Sequence, residues 1–260
     1  MYYEKIINEK SNEWILFIHG LGGSINTWKK QLENFKDKFN LLLIDLDGHG
    51  KSSSIKNKKN HSYKPEEETK SIYNILKENK IEKVNLISLS LGTIVALEFM
   101  AKHPECVNSS ILVGCIINLD KKRILLLSFI QKIKLWLPKT FLYNVFANVL
   151  LPRKNHKKSR EIFIKEAIKM NRQSFLEWLD SFNKSRHFLE THIKTINTNN
   201  IPTLFVMGNE DYMFLKGIEN LKYKINDFKL SIIQRCGHVC SIEKSDIFNK
   251  LAKDFILQNT

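Results

Sequence analysis

The stretch Val84-Asn-Leu-Ile-Ser-Leu-Ser90-Leu-Gly92-Thr-Ile-Val-Ala-Leu-Glu-Phe-Met100 carries the reading of the whole chain. Val84 to Ile87 is a short apolar run that reads as a strand, and Leu91 to Ala101 has apolar residues at helical spacing. Ser90 stands at the corner between them. In a strand-to-helix elbow the central serine is forced outward, its hydroxyl exposed at the carboxyl end of the sheet with the helix N-terminus beneath it. Such elbows usually read Gly-x-Ser-x-Gly. Here Gly92 is kept and Ser88 takes the first place, where strand and helix pass close together and a small side chain suffices. The same pattern also fits a small-residue turn with no chemistry, so the rest of the chain has to decide.

Outward from the elbow, short strand-like runs alternate with helical ones. Upstream, Tyr2 to Ile7 and Glu13 to Ile18 read as a hairpin or adjacent strand pair around the polar turn Asn8 to Asn12. A glycine-rich loop, His19-Gly-Leu21-Gly-Gly23, follows, where backbone N–H groups can approach a negative group closely. The spacing predicts a helix over Ser24 to Phe39, capped by Ser24 or Asn26, a buried strand over Leu41 to Ile44, a polar loop over Asn57 to Tyr63, and a helix over Pro65 to Asn79. Gly50-Lys51-Ser52 evokes a phosphate loop, but the first glycine of that motif would fall on Asp45. Downstream, Ser110 to Gly114 is a strand, and Leu119 to Asn200 has helical periodicity throughout, including an amphipathic helix over Glu161 to Phe182. The alternation then resumes with a strand at Pro202 to Met207, a helix at Leu215 to Ile225, a strand at Leu230 to Gln234 and a closing helix at Ser245 to Leu257. Strands alternating with helices imply a mostly parallel sheet covered on both faces, an α/β fold. The predicted core is residues 1–118 and 201–260, with an all-helical insertion over 119–200.

At 260 residues the chain can bury a sizeable core, and its 43% hydrophobic content excludes wholesale disorder. No apolar stretch reaches the roughly 18 residues of a membrane span, and the N-terminus lacks the apolar core of a signal peptide, so a cytoplasmic protein is expected. Four unevenly spaced cysteines do not form a disulfide framework. Cys236-Gly-His238-Val-Cys240 lacks a second cluster of ligands, and neither metal nor cofactor is expected. The net charge is +14, and 17 Lys and Arg against six acidic residues over Leu119 to Asn200 concentrate +11 of it in the helical block. No nucleic-acid-binding motif accompanies that charge.

An elbow serine needs a base, an orienting acid and oxyanion donors. Asp211 follows the strand ending at Met207, and His238 follows the strand ending at Gln234. Serine, acid, histidine and the glycine-rich loop therefore meet at one edge of the sheet. Glu210 is the fallback acid if Asp211 points away.

With His19-Gly-Leu-Gly-Gly23, Asp45-x-x-Gly48-His49-Gly50-x-Ser52, Ser88-x-Ser90-x-Gly92, Gly208-x-x-Asp211 and Gly237-His238, the chain resembles the α/β-hydrolase superfamily over nearly its whole length. The resemblance implies Ser90 as nucleophile, His238 as general base and then acid, and Asp211 as the group that holds the imidazole. It implies an oxyanion hole from the N–H groups of Leu21 and Leu91, and a helical cap that shapes an acyl pocket. Relatives of similar fold that dehalogenate haloalkanes or open epoxides use an aspartate at the elbow, where this chain has Ser90. The expected activity is hydrolysis of medium or long acyl esters through an acyl-enzyme. Carbon–carbon bond hydrolases, the synthase of menaquinone biosynthesis and non-catalytic binding modules share the fold and stay open. The basic cap would attract an acidic acyl carrier protein or an anionic lipid surface.

Overall fold

The computed structural model describes residues 1–54, 65–117, 132 and 136–260. Seven strands form one sheet: β1 (Tyr2–Ile6), β2 (Trp14–Ile18), β3 (Asn40–Asp45), β4 (Val84–Leu89), β5 (Val107–Val113), β6 (Thr203–Gly208) and β7 (Lys229–Ile233). Their order is β1-β3-β2-β4-β5-β6-β7, parallel except for β1, which runs antiparallel to β3 at the edge. Strands covered on both faces need near-continuous apolar runs. Ile15 to Ile18 and Leu41 to Ile44 are such runs, and all are buried. Crossover helices α1 (Lys29–Phe35), α2 (Pro65–Glu78) and α3 (Leu91–Lys102) join successive parallel strands; α2 packs on α3 through a face that buries Ile72, Ile75 and Leu76. α3 is buried all round, which is why its sequence is apolar on every side.

β1 and β2 do not pair; β3 lies between them. Asn40 at the start of β3 holds the segment that joins them. Its Oδ1 accepts the Asn8 N–H at 2.8 Å, and its Nδ2 donates to the Ser11 carbonyl at 2.6 Å. The polar segment between β1 and β2 thus wraps over β3 rather than closing a tight turn. Ser24 does cap the next helix, with a reciprocal Thr27 partner, but Ile25–Trp28 is a 3-10 turn before α1 begins. The polar loop expected at Asn57 to Tyr63 lies outside the described residues.

Between β5 and β6 the described residues contain helices and turns only: α4 (Lys139–Leu150), the 3-10 turn Lys154–His156, α5 (Lys157–Ala167) and α6 (Arg172–Asn199). The expected boundary at 119 falls outside the described residues. The helix expected over Glu161 to Phe182 is broken. Asn171 is extended (φ −63°, ψ 138°), and its side chain accepts the Gln173 N–H at 2.7 Å to start α6 afresh. α6 also packs along α3, so the last helix of the inserted block is the crossover into β6. After β6, α7 (Leu215–Glu219) tightens into a 3-10 turn at Asn220–Tyr223 instead of running to Ile225. α8 (Cys240–Glu243) and α9 (Ser245–Leu257) close the chain. No helix among the described residues is long and apolar enough to cross a membrane.

Candidate active site

β4 ends at Leu89 and α3 begins at Leu91, leaving a single residue for the reversal. That residue, Ser90, has φ 53° and ψ −119°, a backbone region costing on the order of 1–3 kcal/mol outside glycine. Its N–H donates to Val113 O at 2.9 Å, and its carbonyl accepts from Thr93 N at 2.8 Å and Thr93 Oγ1 at 2.6 Å. These bonds hold the strained conformer. Gly92 is required here because a Cβ would lie 2.5 Å from Ile18 O and 2.6 Å from His19 O. Ser88 is accommodated with its whole side chain buried, its Oγ 3.5 Å from Ile111 O.

Asp211 and His238 arrive from the ends of β6 and β7. His238 Nε2 is 2.8 Å from Ser90 Oγ, and His238 Nδ1 is 2.7 Å from Asp211 Oδ2. The other Asp211 oxygen accepts the Phe214 N–H at 3.2 Å. A carboxylate only accepts, so Nδ1 carries the proton and Nε2 is the acceptor facing the serine hydroxyl. Asp211 and His238 are each 1% exposed. Glu210 is not an alternative acid: it is turned toward Arg153, Asn155 and His156. Among the described residues no group of three or more His, Cys, Asp or Glu could hold a metal ion, and both nitrogens of His238 are engaged.

The glycine loop is braced from behind. His49 Nε2 accepts Gly22 N–H at 3.0 Å, and His19 Nε2 accepts Leu46 N–H at 3.1 Å. Asp45 receives Ile25 N–H at 2.7 Å and Lys51 N–H at 2.8 Å. Desolvation lowers the pKa of both imidazoles, His49 well below the usual 6.5, so both stay neutral acceptors. These supporting roles could not be read from the sequence, although the motif Asp45-x-x-Gly48-His49-Gly50 signalled the place. Leu21 lies between Gly20 and Gly22. Leu91 is the first residue of α3, and its N–H has no acceptor within its own helix.

Leu21, Leu91, Ser90 and His238 line one cavity of about 270 Å³. Its walls are apolar: Ile116, Phe214 and Val239 from the core, and Phe146, Leu150, Phe163 and Leu179 from the helical block. Lys29, Lys30 and Glu166 supply its charged lining among the described residues. A serine hydroxyl bonded to an imidazole bonded to a carboxylate, facing a mostly apolar cavity, is equipped for nucleophilic attack on a carbonyl.

The chain is 24% identical over 95% of its length to a 2-hydroxy-6-oxononadienedioate/2-hydroxy-6-oxononatrienedioate hydrolase from Paraburkholderia phymatum, of which it covers 88%. It is 30% identical over 49% of its length to a probable alcohol acetyltransferase from Cyberlindnera fabianii, where the match spans about a third (34%) of that relative. The fold is similar to that of MGS-M2, an alpha/beta hydrolase enzyme from a Medee basin deep-sea metagenome library (TM-score 0.82, 21% identity, covering 100% of this chain and 94% of that one). The family description "alpha/beta hydrolase fold" matches residues 13–245, nearly the whole chain, and the protein belongs to that family.

Proposed function

We propose that this hydrolase cleaves carboxylic esters with an apolar acyl chain through an acyl-enzyme on Ser90. The observation that carries the reading is the apolar cavity opening directly on Ser90 and His238. His238 Nε2 takes the Ser90 proton as Oγ attacks the ester carbonyl carbon, and the oxyanion meets the N–H groups of Leu21 and Leu91. The protonated imidazole, held by Asp211, then gives its proton to the leaving alcohol. A water, deprotonated by His238, attacks the acyl-enzyme; its collapse returns the proton to Ser90 and releases the acid. One ester and one water become one acid and one alcohol.

A second reading comes from the relative named for a dioate substrate, which matches along nearly the whole chain. A substrate with two carboxylates needs buried cationic partners. Among the described residues the cavity offers Lys29 and Lys30, the latter donating to Ile242 O at 2.7 Å. That balance favours the apolar acyl ester.

The cap supplies a surface on which such a substrate could arrive. Trp136 is 87% exposed, with Phe141 and Ile168 also exposed. Lys139 donates to Ile168 O at 2.6 Å and Arg172 to Leu137 O at 3.3 Å, which sets cations among these apolar groups. Ala167, beside Ile168, packs on Gly22 at the cavity. An anionic lipid surface fits this mixture of charge and aromatic area.

The test is a p-nitrophenyl ester ladder from acetate to palmitate, with a 2-hydroxy-6-oxo-dienoate as comparator, on the wild type and Ser90→Ala. Ester turnover that falls by at least roughly 10³-fold in Ser90→Ala supports the proposal. Turnover of the dienoate with every ester left intact would replace it by carbon–carbon hydrolysis.

A further inference from the structure

Glu210 and His156 are buried beside the triad, with the side chain of Glu243 only 6% exposed, and the reaction above uses none of them. Glu210 accepts from three groups within four consecutive residues of the cap: Arg153 Nη1 at 2.6 Å, Asn155 Nδ2 at 2.8 Å and His156 Nε2 at 2.8 Å. His156 can donate from Nε2 because its Nδ1 accepts the Arg153 N–H at 3.4 Å, which fixes the tautomer. The Arg153 guanidinium also lies 5.2 Å from the Tyr212 ring centroid. Arg153 therefore grips the residue on either side of Asp211.

The same imidazole reaches the loop of the base. His156 Nε2 is 3.8 Å from Glu243 Oε2, and Glu243 accepts the N–H groups of Gly237 at 3.0 Å and Val239 at 3.4 Å, the two neighbours of His238. A Cβ on Gly237 would stand 2.9 Å from His156 Cε1 and 2.9 Å from Glu243 Oε1, so the ring is seated directly on that loop. The two loops are also joined to each other, Glu210 N donating to Cys236 O at 2.9 Å. Hydrogen bonds, Asn155 first, then His156, and the Arg153 charge hold the Glu210 carboxyl below its usual range, so it stays an acceptor for all three donors.

We propose that the cap turn Arg153–His156 is a latch that positions the triad, with His156 as the positioning residue that sets the Asp211 and His238 loops at hydrogen-bonding distance. The inference rests on the serine-hydrolase reading only for its kinetic readout. The latch keeps the Glu210 carboxylate away from His238, leaving Asp211 as the sole orienting acid, and it makes a well-formed triad depend on a seated cap. Because His156 touches no reacting atom, its loss changes the chemical step and not the fit of the acyl chain.

The experiment compares wild type with His156→Ala, with His156→Gln, which keeps a donor near the Nε2 position, and with the double variant Arg153→Met/Asn155→Ala, whose exposed positions spare the core. Each is checked for cooperative thermal unfolding. The readouts are kcat and KM on p-nitrophenyl butyrate and the rate at which a fluorophosphonate forms an adduct on Ser90. The expected result for His156→Ala and the double variant is a loss on the order of 10–100-fold in kcat and in adduct rate, with KM within about three-fold. His156→Gln should recover most of it. If the folded Ala and double variants match the wild type, or if KM alone rises, the latch is overturned. A wild type that forms no adduct on Ser90 rejects the serine-hydrolase reading instead. In that case the latch is read from the downfield proton NMR signal of His238 Nδ1–H: its loss in His156→Ala upholds the latch and its persistence overturns it.

Discussion

Trp178 Nε1 donates to the Asp47 carbonyl at 2.8 Å, tying α6 to the loop that follows β3. The His49 ring meets the Trp178 ring edge-on at 5.8 Å, and His49 in turn holds Gly22. Cap, supporting loop and glycine loop are thus one chain of contacts. Trp178→Phe keeps most of the buried ring and loses one donor. Asp47 O remains within 3.1 Å of His49 Nδ1, so no acceptor is orphaned and the cost should be about 1 kcal/mol. Trp178→Ala empties a fully buried site and should cost about 3–5 kcal/mol. Urea unfolding of the two variants measures both; an equal cost would mean that the hydrogen bond, not the ring, dominates.

The neutral His19 and His49 make stability depend on pH. Burial lowers both folded-state values, while the unfolded chain protonates near the usual 6.5. Below that pH the unfolded state binds more protons, so stability is fully present above about 6.5 and is lost as pH falls through the lowered folded values. Each group can contribute a slope of at most about 1.4 kcal/mol per pH unit in that window. Urea midpoints at pH 7.5, 6.5 and 5.5 should be flat across the first step and fall across the second. His49→Gln, which keeps an acceptor for Gly22 and cannot titrate, should flatten the fall; an unchanged slope assigns it elsewhere.

The two small residues of the elbow should respond differently. An added methyl at Gly92 meets backbone oxygens of β2 and the glycine loop, which cannot give way without moving Leu21. Gly92→Ala should lower kcat on the order of 10²-fold or more even where the protein folds. Ser88 already fits, and glycine there adds chain entropy to the unfolded state. Ser88→Gly should cost roughly 0.5–1 kcal/mol with kcat unchanged. A rise in kcat for Ser88→Gly would show that the serine distorts the elbow.

The elbow and the meeting of Ser90, His238 and Asp211 at its corner were legible because each depends on a few neighbouring residues at the end of a strand. The order of β1, β2 and β3 was not, since β3 pairs with both β1 and β2 from about 30 residues away, and the Asn40 contacts to Asn8 and Ser11 are equally remote in sequence. The break before α6 escaped periodicity because apolar spacing continues through Ile168 and Met170; the Asn171 cap was its only local sign. At Glu210 and Asp211 the sequence offers adjacent carboxylates, with Asp211 favoured by the Gly208-x-x-Asp211 spacing and Glu210 kept as the fallback. What separates them is Arg153, Asn155 and His156, more than fifty residues upstream.

The exposed cap tip should respond to lipid charge. Vesicles containing phosphatidylglycerol should shift the tryptophan emission of the wild type to the blue, and Trp136→Phe should lose most of that shift. Raising ionic strength from 0.15 to 1 M, where the screening length falls from about 8 to about 3 Å, should weaken binding. Equal binding to purely zwitterionic vesicles removes charge from the account, and tight salt-sensitive binding of an acidic carrier protein without vesicle binding replaces the lipid surface by a protein partner.

The acyl chain is expected to lie along the wall formed by α4. Each buried methylene contributes about 0.8 kcal/mol, so kcat/KM should climb roughly three- to four-fold per carbon until the cavity is full. Ala147 is fully buried and lines that cavity. Ala147→Leu adds three carbons to the wall and should move the chain-length optimum downward while acetate turnover stays within about two-fold, at a stability cost of about 1–3 kcal/mol. Phe146→Ala removes a ring from the same wall and should move the optimum upward. The ester ladder with both variants measures the two shifts. Opposite shifts place the acyl chain against α4, whereas an optimum that ignores both substitutions places it against the core wall at Ile116 and Phe214.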